Sequence, residues 1–246
     1  MNINIWLRSI FILILTLTST SASYAEIGDN STIDSLYKII NQKIGADKIN
    51  TQLDFALKIV NKNKEEALNM ANSALVAAKS TGNRNLEMHS YYMLGRMYME
   101  AANNSLSLVY LDTALVIAES VHDNWNKGEI LYQVGVNKHR MGEALEALEL
   151  FNASIQACRL SDNFKSAGSS YSVMGTIFRM NGMYDRAIEY IIKSKLNYEK
   201  ADFIDGSAWA SYLLSRIYAD LKLPQKAFEY FNESLDIYKK LAAIDG

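Results

Sequence analysis

Proline and cysteine are nearly absent from this chain of 246 residues, and each occurs only once. Because one cysteine has no partner, Cys158 cannot form a disulfide within the chain. One proline and 12 glycines provide few turn-forming residues, which favours long helices over a loop-rich β fold. The net charge of −2 provides no basic field to attract nucleic acid or an anionic membrane surface. Ala, Leu, Lys, Glu, Met and Tyr dominate, and this composition predicts an all-α protein.

The first 25 residues differ from the rest of the chain. Arg8 is the only charged residue before an apolar run from Ile10 to Leu17, and small residues follow as far as Ala25. This order predicts a secretory signal peptide over residues 1–25, cleaved after Ala25. An uncleaved anchor is the alternative, although the apolar run is short for a spanning helix. The mature chain is therefore expected to be exported to the periplasm, and the sequence contains no run of about 20 apolar residues after position 26.

The sequence repeats with a period of about 40 residues, which lies within the range of known repeat architectures. Small residues recur at this spacing in two series, and large apolar residues recur in a third. The first series is Gly95, Gly135, Gly175 and Ser215; the second is Ala67, Ser107, Ala147, Ala187 and Ala227; the third is Leu111, Phe151, Ile191 and Phe231. A fixed period of this length indicates stacked supersecondary units. The apolar spacing within each unit is helical, so each unit is predicted to be a pair of antiparallel helices that cross closely at the small residues.

The repeated residues resemble the tetratricopeptide repeat in its 40-residue bacterial form. The first helices match at Leu94-Gly95, Val134-Gly135, Met174-Gly175 and Leu214, and the second helices match through EALEALELFNASI, DRAIEYIIKSK and QKAFEYFNESL. The departures are Ser215 in place of glycine, Lys138 in place of an aromatic residue, and no proline at the repeat ends. The resemblance implies a right-handed α-solenoid of stacked antiparallel helical hairpins.

The resemblance covers roughly residues 47–246, as about five hairpins. The opening repeat lies within residues 53–83, with Ala67, Ala71 and Ala74 on its second helix and Phe55 in place of the small residue of its first. Residues 26–46 are expected to hold a linker and a helix that covers the end of the stack, because a terminal repeat otherwise leaves its apolar face open.

No pattern of catalytic or cofactor-binding residues is present. His89, His122 and His139 are too far apart in sequence to bind a metal from one helix face. Neither a nucleophile elbow nor a phosphate-binding glycine loop occurs, and the serines of GSSYS at 168–172 are expected to be packing or groove residues. We therefore expect no enzyme activity, no metal and no cofactor.

The resemblance implies that the first helix of each hairpin lines the concave side. The inward positions, together with a flanking tryptophan, define the candidate ligand-binding residues Tyr92, Arg96, Met99, Tyr132, His139, Ser172, Thr176, Arg179, Trp209, Tyr212 and Arg216. Tyr, Trp and Arg contribute much of the binding energy in protein interfaces, and arginines pair well with carboxylates. The expected partner is a protein or peptide, acidic or carboxylate-bearing. Alternatively, the tyrosines pack between repeats and the arginines pair with Glu100, Glu129 or Asp220.

Two functions are favoured by this order of segments, and an exported enzyme, whose site would be assembled from distant residues, is a third alternative that no residue pattern supports. A signal peptide followed by repeats of this type is similar to the extracytoplasmic sensor region of bacterial signalling proteins, in which a transmembrane helix follows the repeats and leads to a histidine kinase, a diguanylate cyclase or a DNA-binding domain. The alternative is a freestanding periplasmic adaptor for the assembly of protein complexes. Both are non-catalytic scaffolds that bind a peptide or protein, and they differ in whether binding is relayed across a membrane.

Overall fold

A computed structural model of the chain describes residues 30–243, and all regular structure within this range is helical. The predicted signal peptide and the last three residues lie outside the described residues. The eleven helices of the described range are α1 Asn30–Asn41, α2 Gly45–Ile59, α3 Lys64–Ser80, α4 Arg84–Glu100, α5 Asn104–Ser120, α6 Asn124–Arg140, α7 Ala144–Ser161, α8 Phe164–Met180, α9 Tyr184–Lys200, α10 Ile204–Asp220 and α11 Pro224–Ala242. The predicted all-α fold class is confirmed. None of these helices is long and apolar enough to cross a bilayer.

The helices follow the sequence period closely. From Lys64 to Pro224 the helices begin at evenly spaced positions, and each sequence repeat holds two of them. The chain divides into two compact units, Met1–Asn103 and Asn104–Gly246. The described part of the first unit contains α1 to α4, and that of the second contains α5 to α11. In the second unit, α6 pairs with α7, α8 with α9 and α10 with α11.

The short links between helices share one backbone conformation. From position 82 to position 222, every twentieth residue lies in a link and has a positive φ between 49° and 85°. These residues are Gly82, Ala102, His122, Gly142, Asp162, Gly182, Asp202 and Lys222. In all but the first of these links, the backbone N–H of the following residue donates to a carbonyl five residues earlier, as in Asn103 to Tyr98 at 2.8 Å and Leu223 to Tyr218 at 2.9 Å. This hydrogen bond satisfies a helix-end carbonyl and stops the helix.

Several helices begin with a side-chain cap. The side chains of Asn83, Asp123 and Asn163 accept hydrogen bonds from backbone N–H groups in the first turns of α4, α6 and α8. Phe203 occupies the next position of this series and caps nothing. Each cap satisfies N–H groups that have no partner within the helix, so the capping residues also follow the repeat period.

The small residues of the second unit permit close helix crossings. A Cβ added to Gly135 would lie 2.7 Å from Cε1 of Phe151, and one added to Gly175 would lie 2.5 Å from Cδ1 of Ile191. Phe151 and Ile191 are fully buried. The sequence prediction that the small and large series meet where α6 crosses α7 and α8 crosses α9 is therefore confirmed.

Each of these hairpins has a second close crossing that the sequence analysis did not identify. The hydroxyl of Ser154 donates to the carbonyl of Gly128 at 2.7 Å, and one repeat later Ser194 donates to Gly168 at 2.8 Å. A Cβ on Gly128 would lie 2.5 Å from the sulfur of Cys158. The buried serines therefore join the two helices of each hairpin by a hydrogen bond.

The first unit contains the predicted N-terminal helix. Ile33 and Ile40 of α1 are buried, and the hydroxyl of Tyr37 donates to the carboxylate of Glu66 on α3. Burial and this carboxylate raise the pKa of Tyr37 to about 12. These contacts attach α1 to the α2–α3 hairpin, as expected of a helix that covers the opening repeat.

One position of the opening repeat differs from the prediction. Phe55 is half-buried, and Ala56 is the fully buried small residue of α2. The link that follows α2 has four residues, 60–63, whereas most later links have three. This hairpin is therefore out of step with the repeat period, and its small residue lies one position later.

Candidate functional site

Three helices of the second unit carry most of the candidate binding residues. These helices, α6, α8 and α10, are the first helices of successive hairpins, and α8 contacts both of the others. We call them the A layer. Arg96, Tyr92 and Met99 lie on α4 in the first unit and are described separately.

The α4 residues are mostly interior. Tyr92 and Met99 are 6% and 4% exposed, and Arg96 is half-buried. The guanidinium carbon of Arg96 lies 5.6 Å from the centroid of the Tyr92 ring, a distance at which a cation is attracted to the ring face. Of these three side chains, only Arg96 presents substantial surface.

On α6, Tyr132 and His139 are half-buried. The Tyr132 ring lies 6.0 Å from the ring of the core residue Phe151, so part of this tyrosine packs against the hairpin interior. The ring nitrogen Nδ1 of His139 is buried and has no hydrogen-bond partner among the described residues. A buried polar atom without a partner carries a desolvation cost, and such an atom calls for an explanation.

On α8, Ser172 is buried and the hydroxyl of Thr176 donates to its carbonyl at 3.0 Å. The Thr176 hydroxyl is therefore engaged within the helix, and the Ser172 side chain is not open to solvent. Arg179 forms an ion pair with Asp220 of α10, with Nη1 2.6 Å from Oδ2. The Nε of Arg179 is buried and has no acceptor among the described residues. The pairing of an arginine with Asp220 is one of the alternatives stated from the sequence, and the structure places it at Arg179.

On α10, three side chains form an open stack. Trp209 is 45% exposed and its ring lies 5.3 Å from that of Tyr212. The guanidinium carbon of Arg216 lies 5.9 Å from the Tyr212 ring and the side chain is exposed. The spacing of three and four residues places all three on one helix face. We call this set the α10 stack.

The structure also identifies a residue that the sequence analysis omitted. Met180 is 68% exposed and follows Arg179 directly. It occupies the same repeat position as Asp220, one repeat earlier. Extending the inward positions by one residue in each repeat would have included it.

The described residues suggest little chemistry beyond binding. No group of three or more His, Cys, Asp or Glu within residues 30–243 is arranged to hold a metal ion. Burial raises the pKa of the Cys158 thiol to about 11, so it remains protonated at neutral pH. Within GSSYS, the Ser170 hydroxyl lies 2.9 Å from that of Ser154 in the core between α7 and α8.

A depression of about 460 Å³ lies at the helix links of the second unit. It is lined by Gly182, Met183, Tyr184, Asp185, Arg186 and Leu221. None of these is a candidate binding residue. The candidate binding residues therefore do not line this depression.

Comparison with known proteins identifies the repeats. Residues 166–240 match the family model of the tetratricopeptide repeat, whereas no curated protein sequence matches the chain. The fold is similar to BtubC from P. vanneervenii, with a TM-score of 0.64, 14% identity and coverage of 92% of this chain and 91% of the other. It is also similar to the TPR-like repeats of a kinesin light chain from Podospora anserina, with a TM-score of 0.59, 16% identity and coverage of 82% and 99%.

A bacterial quorum sensor has the same fold. The apo form of NprR from B. thuringiensis matches with a TM-score of 0.65, 19% identity and coverage of 92% of this chain and 63% of the other. NprR in complex with its cognate peptide NprX matches with a TM-score of 0.62, 17% identity and coverage of 94% and 68%. Residues 166–240 are therefore tetratricopeptide repeats by sequence, and the described helices share the fold of TPR-like repeat structures.

Proposed function

We propose that this chain is a non-catalytic scaffold that binds a peptide or a segment of a protein on the A layer. The observation that carries the proposal is the α10 stack. Trp209, Tyr212 and Arg216 leave aromatic and guanidinium surface open to solvent on one helix face. These three residue types are enriched among the residues that dominate binding energy at interfaces, and a stack of rings loses little conformational entropy when a ligand binds.

The comparisons support the class of ligand. The tetratricopeptide-repeat fold is generally used for protein interaction, and one structure with this fold holds a cognate peptide. At 17% identity that similarity concerns the fold alone, so the support for particular binding residues comes from the side chains of this chain. An extended peptide suits the A layer, because candidate side chains recur on successive helices.

We further propose that the chain is exported and senses its ligand outside the cytoplasm, as part of a bacterial signalling protein. The support is the signal-peptide pattern of residues 1–25 and the resemblance of the repeats to extracytoplasmic sensor regions. Fusing residues 1–30 to a phosphatase that is active only after export tests the first part. The wild-type fusion is expected to show phosphatase activity. Replacing Leu13 and Leu15 with Asp, with Arg8 kept, is expected to abolish that activity. An inactive wild-type fusion would contradict export.

Peptide selection tests the binding function. Random dodecapeptides displayed on phage are selected on the purified full chain, and recovered peptides are titrated against variants. Replacing Trp209 and Tyr212 with Ala is expected to weaken binding by about 30-fold or more, the effect of losing a binding hot spot of about 2 kcal/mol. Trp125→Ala is the matched control, because Trp125 is also exposed, at 49%, but lies outside the candidate positions. Equal loss in both variants would contradict the assignment to the α10 stack.

A further inference from the structure

We propose that one face of α11 binds the same face of a second copy of this chain, so that two copies associate through an antiparallel pair of α11 helices. We call this surface the α11 face, and its side chains are Pro224, Phe228, Phe231, Leu235 and Tyr238. None of them is a candidate binding residue, so this inference goes beyond the proposed function and does not depend on it. Three observations support it: the exposure of the face, the spacing of its side chains, and the chemistry of its border.

The equivalent face of α9 is covered by the next hairpin. Tyr198 of α9 packs closely against α10, since a Cβ added to Gly206 would lie 2.6 Å from its ring. Ile191 of α9 belongs to a buried core that α10 also lines. Ile191 is 0% exposed and Tyr198 is 4% exposed, whereas one repeat later Phe231 and Tyr238 are only half-buried. The same positions are thus closed on α9 and open on α11.

The α11 face is a continuous row of apolar side chains that no described helix of the second unit covers. Within that unit, α10 is the helix whose backbone packs closely against α11. Phe228 is 57% exposed, although Ile188, at the same position of α9, is half-buried. A row of large apolar side chains exposed on one helix face marks a surface for a protein partner. The face of α9 receives an antiparallel helix, so a second antiparallel helix is the partner that fits the α11 face.

The spacing of the large residues makes the α11 face complementary to itself. Phe228, Phe231, Leu235 and Tyr238 are separated by three, four and three residues. This alternation forms the seam between two packed helices, and it is the same in both directions along the chain. In an antiparallel pair about a two-fold axis, Phe228 meets Tyr238 of the second copy and Phe231 meets Leu235. An interface between two identical copies requires this kind of self-complementarity.

The polar residues of α11 permit the pairing. Glu233, in the middle of the helix, points to α9, where its carboxylate pairs with Lys195. The positions that border the α11 face on its open side are Gln225, Asn232 and Lys239, spaced by seven residues. The antiparallel register brings Gln225 beside Lys239 of the second copy and Asn232 beside its own equivalent. The border therefore brings no two like charges together.

Sedimentation of the purified full chain tests the association. One helix from each copy makes a small interface, so the dimer is expected to form at micromolar concentrations, and samples span about 1 to 300 µM. Phe228→Glu places a charge in the seam and is expected to raise the Kd by about 30-fold or more. Leu196→Glu is the matched control, because Leu196 is 52% exposed on α9 and lies outside the α11 face. Wild-type protein that is monomeric throughout, or equal weakening in both variants, would overturn the proposal.

Disulfide cross-linking tests the register and leaves the α11 face intact. In the antiparallel pair, Gln225 and Lys239 of the second copy lie about 3 Å apart along the helix axes, whereas each lies about 18–24 Å from its own equivalent. A mixture of Gln225→Cys and Lys239→Cys is expected to form disulfide-linked dimers on mild oxidation, and either variant alone is not. Cys158 is buried, so the added thiols are the reactive ones. Cross-linking of either variant alone at the rate of the mixture would contradict the antiparallel pair.

Discussion

Five non-glycine residues of the described range adopt the left-handed conformation that ends the helices, and their cost can be measured one residue at a time. Lys222 has a φ of 61° and is exposed. A side chain in this conformation is strained, although glycine also gains entropy in the unfolded chain. Lys222→Gly is therefore expected to raise the free energy of unfolding by about 0.5–1 kcal/mol. Glu229→Gly, at an exposed position inside α11, is the control and is expected to lower it by about 1 kcal/mol. Urea denaturation measures both; a loss of stability in Lys222→Gly would contradict the account of the links.

The crossing of α6 and α7 depends on the absence of a side chain at Gly135. A methyl group there would lie 2.7 Å from the Phe151 ring, and Phe151 is fully buried. Gly135→Ala is expected to destabilise the protein by about 1–3 kcal/mol, and Gly135→Leu by more. Adding Phe151→Leu to Gly135→Ala is expected to restore part of the loss, which additive effects would not do. An unchanged melting temperature in Gly135→Leu would contradict the close crossing.

Cys158 gives the protein a specific sensitivity to alkaline pH. Burial raises the pKa of its thiol from 9.0 to about 11, so the unfolded state loses the proton first as the pH rises. The contribution is fully present below pH 9 and is lost progressively between pH 9 and 11, by about 3 kcal/mol in total. Cys158→Ala is expected to lose less stability than the wild type over this interval. Parallel pH profiles for the two proteins would show that the thiol is not desolvated in the fold.

At the scale of helices, α1 depends on its neighbours for stability. It has 12 residues, too few for a stable isolated helix in water. Ile40 is 1% exposed, whereas Lys38 is exposed. Ile40→Ser removes burial worth about 2–4 kcal/mol and is expected to release α1, so that its amide hydrogens exchange rapidly while those of α8 remain protected. Lys38→Ser is expected to leave α1 protected. If protection of α1 survives Ile40→Ser, the helix is held by something other than its buried face.

The helices and their close crossings could be predicted because small and large residues recur along the sequence with a fixed period. Gly135, Gly175 and their large partners recur at a fixed spacing, and steric exclusion at a crossing admits only small residues. The ends of the helices could not be predicted in the same way. Ala102, Asp202 and Lys222 adopt a conformation that their side chains disfavour, because the helices on either side determine the link. The position of the small residue of α2, at Ala56 and not at Phe55, could not be predicted either, since one extra residue in the link leaves the apolar pattern of each helix unchanged.

At the scale of the whole molecule, the candidate site was less predictable than the fold. Repeat positions indicate which helix face a residue occupies, but not whether its side chain is already engaged. Tyr92 and Ser172 proved to be buried, while Arg179 proved to be paired with Asp220. These outcomes depend on neighbouring repeats that differ in sequence. The α10 stack, by contrast, could be predicted from the sequence, because its three residues lie on one helix and their arrangement does not depend on a neighbouring helix.

The most direct test of the binding function is site-specific photo-crosslinking in cells that produce the protein. A photoreactive phenylalanine at Ala219 lies on the same face as the α10 stack and leaves Trp209, Tyr212 and Arg216 in place. Leu196, on α9 and 52% exposed, provides the control position. The account predicts a discrete peptide or protein adduct at position 219 that is absent at 196 and is lost when Trp209 and Tyr212 become Ala. Adducts of equal yield at both positions, or adducts at 219 that survive the double replacement, would contradict it.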